Sequence, residues 1–237
     1  MLTPDPARRA QRLLAAARAN REAGALDAVL GLLVAAEAGP LGGRQAAVVE
    51  RLRGQIAFDQ RRGSDAAPLL LSATRDLEPF DAGLAREAHL ESLAAALYAG
   101  DLGRPGGIRE AARAAPPGPD PRRAVDVVLD ALALRLTEGH AAAAPTLTRT
   151  LKLLLALDVS VDKTSRWLRF SGGGAGTIIA LELWDFESWH ALAARRVQVA
   201  RDTGALVQLQ FTRNSLAGVQ LLVGMLSAAE RLIDEDA

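Results

Sequence analysis

Glu22-Ala-Gly-Ala-Leu-Asp27, Tyr98-Ala-Gly-Asp-Leu102, Thr137-Glu-Gly-His140 and Leu222-Val-Gly-Met-Leu226 are four versions of one local signal. In each, a helix-forming stretch ends at or just before a glycine, which takes the left-handed cap conformation without a side-chain clash. An Ala- and Leu-rich stretch usually follows at once. Turns placed near Gly24, Gly63, Gly100, Gly139, the Trp184-Asp185 step and Gly224 are 39, 37, 39, 45 and 40 residues apart. A period near 40 marks an array of helical hairpins, each too thin to bury its own apolar face.

The segments between the turns carry helical periodicity. Val125, Val128, Leu132 and Leu136 step by three, four and four residues, and Val49, Leu52 and Ile56 by three and four. Such steps lay apolar groups along one stripe of a helix. No run of alternating β-branched residues reads as a strand. The expected fold is all-α: a right-handed superhelix of about six stacked hairpins, forming one domain over residues 1–237. First helices are expected over about 5–22, 43–61, 82–99, 121–138, 163–183 and 206–223. Second helices are expected over about 26–37, 65–77, 106–114, 141–157, 186–203 and 226–235. Asp5-Pro6 and Asp120-Pro121 read as N-caps followed by proline at the first helical position. Pro116-Pro-Gly-Pro119 reads as an inter-repeat loop.

Composition narrows the function classes. Nearly half of the 237 residues are apolar but only 4% are aromatic, so the core is mostly Ala, Leu and Val. Basic and acidic residues balance at 28 each, which argues against a nucleic-acid or membrane-surface protein. Only Lys152 and Lys163 are lysines, a skew typical of a GC-rich genome. The absence of cysteine removes disulfides, thiolate metal sites and thiol nucleophiles. Met1-Leu-Thr-Pro-Asp-Pro6 does not read as a signal peptide and the apolar runs are too short to span a bilayer, so a cytoplasmic protein is expected.

Motifs for chemistry are weak. Ser171-Gly-Gly-Gly-Ala-Gly176 lacks the lysine and preceding strand of a phosphate loop, and reads as a surface loop or a break in its helix. Glu187-Ser-Trp-His190 has the spacing used in di-iron bundles, but such a site needs a second pair and two further carboxylates. No cofactor and no metal site are expected, and neither is an enzyme. Six of the nine aromatics fall in the last third, interleaved with arginines. They fill wide gaps between repeats or anchor a ligand or partner, since aromatics and arginine dominate binding hot spots. The candidate binding residues are Arg166, Trp167, Phe170, Trp184, Trp189 and Arg213.

Ala35-Ala-Glu-Ala-Gly-Pro-Leu41, Val49-Glu-Arg-Leu-Arg-Gly-Gln-Ile-Ala57 and Ser64-Asp-Ala-Ala-Pro-Leu-Leu-Leu71 resemble the tetratricopeptide-like repeat region of large ATP-binding LuxR-family regulators of actinobacteria. So does Leu183-Trp-Asp-Phe-Glu-Ser-Trp-His-Ala-Leu192 followed by Arg201-Asp-Thr-Gly-Ala-Leu206. In that family an ATPase module precedes the repeats and a helix-turn-helix follows them. This sequence has no Walker lysine motif and no recognisable helix-turn-helix, so neither ATP hydrolysis nor DNA contact is carried over. The resemblance implies effector sensing, self-association as a homodimer, or docking onto a protein partner or the protein's own further modules. The alternatives are a free-standing scaffold without a small-molecule site and, more remotely, an all-α enzyme.

Overall fold

The computed structural model describes residues 5–60, 63–99, 107–118, 123–157 and 173–234. Among them are twelve helices and no strand. The chain forms two compact units, Met1–Asp120 and Pro121–Ala237. The first holds α1 (Pro6–Glu22), α2 (Leu26–Glu37), α3 (Gly43–Asp59), α4 (Gly63–Leu77), α5 (Ala82–Ala99) and α6 (Gly107–Arg113). The second holds α7 (Ala124–Glu138), α8 (His140–Ala156), α9 (Gly173–Glu182), α10 (Phe186–Thr203), α11 (Leu206–Leu222) and α12 (Leu226–Asp234).

Several helix starts follow from local chemistry. Asp5 accepts a hydrogen bond from the Ala7 N–H at 2.9 Å and Pro6 opens α1, as expected from sequence. The Gln45 side chain returns to the Gly42 N–H at 3.1 Å, and Asp126 to the Arg123 N–H at 3.0 Å, each satisfying one orphan donor. Thus α7 begins at Ala124 behind an extended Arg123, while Asp120 and Pro121, the expected N-cap and first helical residue, lie outside the described residues. Gly63 likewise opens α4 where a turn was expected. The carboxylate of Asp185 takes both the N–H and the Oγ–H of Ser188, fixing the start of α10.

Four turns share one hydrogen-bond pattern. The N–H groups of Gly24, Trp184, Gly204 and Gly224 bond to the carbonyl three residues back. The next residues, Ala25, Asp185, Ala205 and Met225, bond to the carbonyl five back. This is the Schellman closure, and it requires positive φ at the first residue of each pair. The values are 79°, 54°, 65° and 81°, and only at Trp184 is the residue not glycine. Gly139 solves the reversal differently. At φ 91° and ψ 176° it caps α7 and α8 together, in a region open essentially to glycine alone.

In the first unit the main packing runs between successive helices, with α1 also touching α3 and α3 touching α5. Leu14, Val29, Leu33, Leu52, Ile56 and Leu77 sit at the centre of its core. Helices α3 and α4 approach so closely at Gly54 that a Cβ there would lie 2.7 Å from Leu70 Cγ. In the second unit α7 touches α9 and α8 touches α10, besides the sequential contacts. Ala193, Val197, Leu216 and Val219 pack with Phe186, Trp189, Leu209 and Leu232.

The glycine cluster departs from the sequence expectation. Gly173 to Gly176 form the first turn of α9, and Ala175 and Gly176 are buried. A Cβ on Gly176 would stand 3.2 Å from Leu154 and 3.6 Å from Leu192, so the small residue admits α8 and α10 to the same spot. Gly176 thus serves close packing, which outweighs its poor helix propensity. Residues 171–172 lie outside the described residues.

An l-residue at Trp184's φ costs about 1 kcal/mol, and the exposed indole recovers little of it by packing. Trp184→Gly is therefore expected to stabilise the chain by about 1 kcal/mol in denaturant unfolding. A lower midpoint for the variant would show that the indole holds the turn together.

Candidate functional site

Trp184, Phe186 and Trp189 form one aromatic row where α9 turns into α10. The rings of Trp184 and Phe186 meet edge-on at 6.0 Å, and those of Phe186 and Trp189 are stacked at 6.3 Å. The Trp189 indole N–H donates to Ser215 Oγ at 3.2 Å, tying α10 to α11. Trp189 is thus anchored, half-buried, against the core, Phe186 bridges, and Trp184 projects with 75% of its surface exposed. Arg213 is attached two residues before Ser215, on nearly the opposite side of α11, and is only partly buried. The structure therefore brings Trp184 and Trp189 together but does not seat Arg213 on the helix face that meets them. Arg166, Trp167 and Phe170 lie outside the described residues.

A second polar feature escaped the sequence reading. In the first unit, Arg51 of α3 donates to both carboxylate oxygens of Glu91 on α5, at 2.9 and 3.0 Å, and reaches Glu87 at 3.3 Å. Gln55 adds a bond to Glu91 at 2.8 Å. Arg21 of α1 grips Asp59 of α3 in the same two-pronged way. Arg51 and Glu91 are both buried. Burial pushes the Glu91 carboxyl up, but the charge and hydrogen bonds of Arg51, helped by Arg21 and Gln55, outweigh it and hold it below its ordinary range. At Asp59 burial wins over Arg21, and the carboxyl is raised. The partners stand 38 residues apart in Arg21–Asp59 and 40 in Arg51–Glu91. Opposite charges one repeat apart were the signal that would have found them.

These pairs satisfy each other, so they lock α1, α3 and α5 in register and offer no open binding group. Among the described residues no group of three or more His, Asp or Glu side chains is placed to hold a metal ion. Glu187 and His190 lie one turn apart on α10 with Glu187 exposed. No helix among the described residues is long and apolar enough to cross a membrane. No protein-family model, no curated protein and no solved structure matches the chain.

Elsewhere in the unit, Arg86 of α5 is buried and donates to the Pro116 carbonyl, holding the Ala115–Gly118 loop against the helix. His89, fully buried, lies 2.8 Å from the Ala111 carbonyl through Nε2. A carbonyl only accepts, so Nε2 carries the proton.

Removing one member of a buried ion pair leaves the other uncompensated, at a cost of about 3 kcal/mol. Arg51→Met and Glu91→Leu are each expected to lose that much stability in urea unfolding. The double variant is expected to recover most of it, and strict additivity would show that the pair is uncoupled.

Burial, reinforced by the Arg86 charge, lowers the His89 pKa below its ordinary value of 6.5. The unfolded chain then binds the proton first, so stability is full above 6.5 and is lost as the pH falls through the lower folded value. His89→Gln keeps a donor for Ala111 and removes the titration. Its melting temperature is expected to fall less than that of the wild type between neutral and mildly acidic pH. Parallel pH curves would exclude His89 as the cause.

Proposed function

We propose that this chain is a protein-interaction and sensing domain whose hairpins stack as a right-handed, tetratricopeptide-like superhelix. It serves as the regulatory middle of a cytoplasmic LuxR-family transcriptional regulator. The observation that carries this reading is the repeated Schellman turn at Gly24, Trp184, Gly204 and Gly224, with its main packing confined to neighbouring and next-but-one helices within each unit. That is the contact pattern of a repeat array. A bound effector or partner would act by favouring one curvature or inter-module arrangement, because only differential affinity shifts an equilibrium.

A free-standing scaffold is the second reading. The projecting Trp184 favours it, since an indole exposed to this degree suits a macromolecular partner better than an enclosed small molecule.

Two measurements test the proposal. Small-angle scattering is expected to give a radius of gyration well above the value of about 18 Å for a compact chain of this length. A value at or below that removes the superhelix. Sequencing of the native gene on both sides is expected to reveal an ATPase module upstream and a helix-turn-helix downstream. Stop codons at both ends would transfer the function to the scaffold reading.

A further inference from the structure

The end of the second unit that carries the α9–α10 and α11–α12 turns exposes more apolar surface than folding requires. Helices α10 and α11 are antiparallel: they are joined by a short turn at Gly204-Ala205, and Trp189 meets Ser215 far from that turn. The indole of Trp189 also lies 4.0 Å from where a Cβ on Gly218 would stand. Phe186, about one turn before Trp189, and Leu222, about one turn beyond Gly218, therefore come to the same end of the unit. The α7–α8 turn joins them there, because Glu182 accepts from Arg135 at 2.7 Å and lies 3.7 Å from His140. Leu181, Trp184, Leu222, Val223, Met225 and Leu226 are all exposed on these tips. Large apolar side chains gathered in this way mark an interaction surface.

The charges around the tips are acidic. Glu138, Asp185 and Glu187 make no ion pair among the described residues, while Glu182 is balanced by Arg135. The whole chain is charge-neutral, so the acidity is local. Two copies meeting here would place acid against acid, and an anionic membrane surface would be repelled in the same way. A segment that offers apolar anchors flanked by lysine or arginine satisfies both halves of the surface.

We propose that this hairpin-tip surface, centred on Trp184, docks a basic amphipathic helix of a partner protein. Trp184 is the anchor: it holds a backbone conformation that glycine fills freely at the three equivalent turns, and it spends its side chain outside the core. Binding through an apolar helix face uses anchors at i, i+3, i+4 and i+7. The proposal rests on the interaction-domain reading but not on the modules flanking the gene. Stop codons at both ends would leave it standing, and failure of peptide binding would leave the scattering result untouched.

The test uses the full chain and a synthetic helical peptide with leucines at i, i+3, i+4 and i+7 and lysines elsewhere, titrated by calorimetry. Saturable binding is expected, weakened by salt, and at least tenfold weaker for Trp184→Gly, whose melting temperature shows that it is folded. Leu226→Asp is a second variant expected to weaken binding, and Glu187→Lys a third. A peptide with glutamate in place of lysine is expected not to bind. Equal binding of the acidic peptide, no binding of the basic one, or affinity unchanged in Trp184→Gly and Leu226→Asp overturns the proposal. So does a concentration-dependent dimer that Trp184→Gly dissolves, because the surface would then belong to a second copy.

Discussion

At Gly24, Trp184, Gly204 and Gly224 the chain reverses between two packed helices by taking one backbone position into positive φ, and the placing of those helix pairs depends on meeting that demand. The Schellman closure satisfies two end-of-helix carbonyls while turning the chain, so the next helix starts against the one just finished. Glycine meets the demand at Gly24, Gly204 and Gly224 at no steric cost. Short, Ala-rich helices delivered side by side then bury their stripes against neighbours that are close in sequence. At Gly54 and Gly176 the helices approach near enough that a methyl group would intrude. Small side chains are what make such thin layers pack at interior density.

Apolar packing alone sets the register of these layers loosely, because one alanine resembles another. The buried pairs Arg21–Asp59 and Arg51–Glu91 sharpen it in the first unit. A guanidinium meets a carboxylate in two-pronged fashion only at one relative height of the two helices, and a slip of one turn would strand both charges away from water. The pairs add specificity more than stability. The second unit uses a partly exposed version, Arg135 with Glu182, where an error would cost less.

Trp184 breaks the economy of the turns. The same hydrogen bonds form around it as around the glycines, yet the backbone is strained and the indole stays in solvent. Strain that brings little packing in return is the kind a function retains. Phe186 and Trp189 divide the remaining work, one bridging and the other fastened to Ser215, so the projecting ring stands on a rigid base.

What the sequence determined by itself is the class and most of the helix boundaries. Glycine turns and three-four apolar steps are local properties, and local properties are written in consecutive residues. Pro68 in α4 and Pro145 in α8 occupy the same register of their helices, a further local mark of the repeat. Only tertiary structure decided that Gly173–Gly176 begin a helix, since the benefit of a missing side chain there lies on Leu154 and Leu192, one on an earlier helix and one on a later. It also decided that Trp189 packs half-buried against the core while Trp184 is surface, although five residues separate them. Their fates depend on which neighbour, Ser215 or water, occupies the space beside each ring. The Arg51–Glu91 pair was hidden for the same reason: two charges 40 residues apart become partners only when the helices between them have folded back.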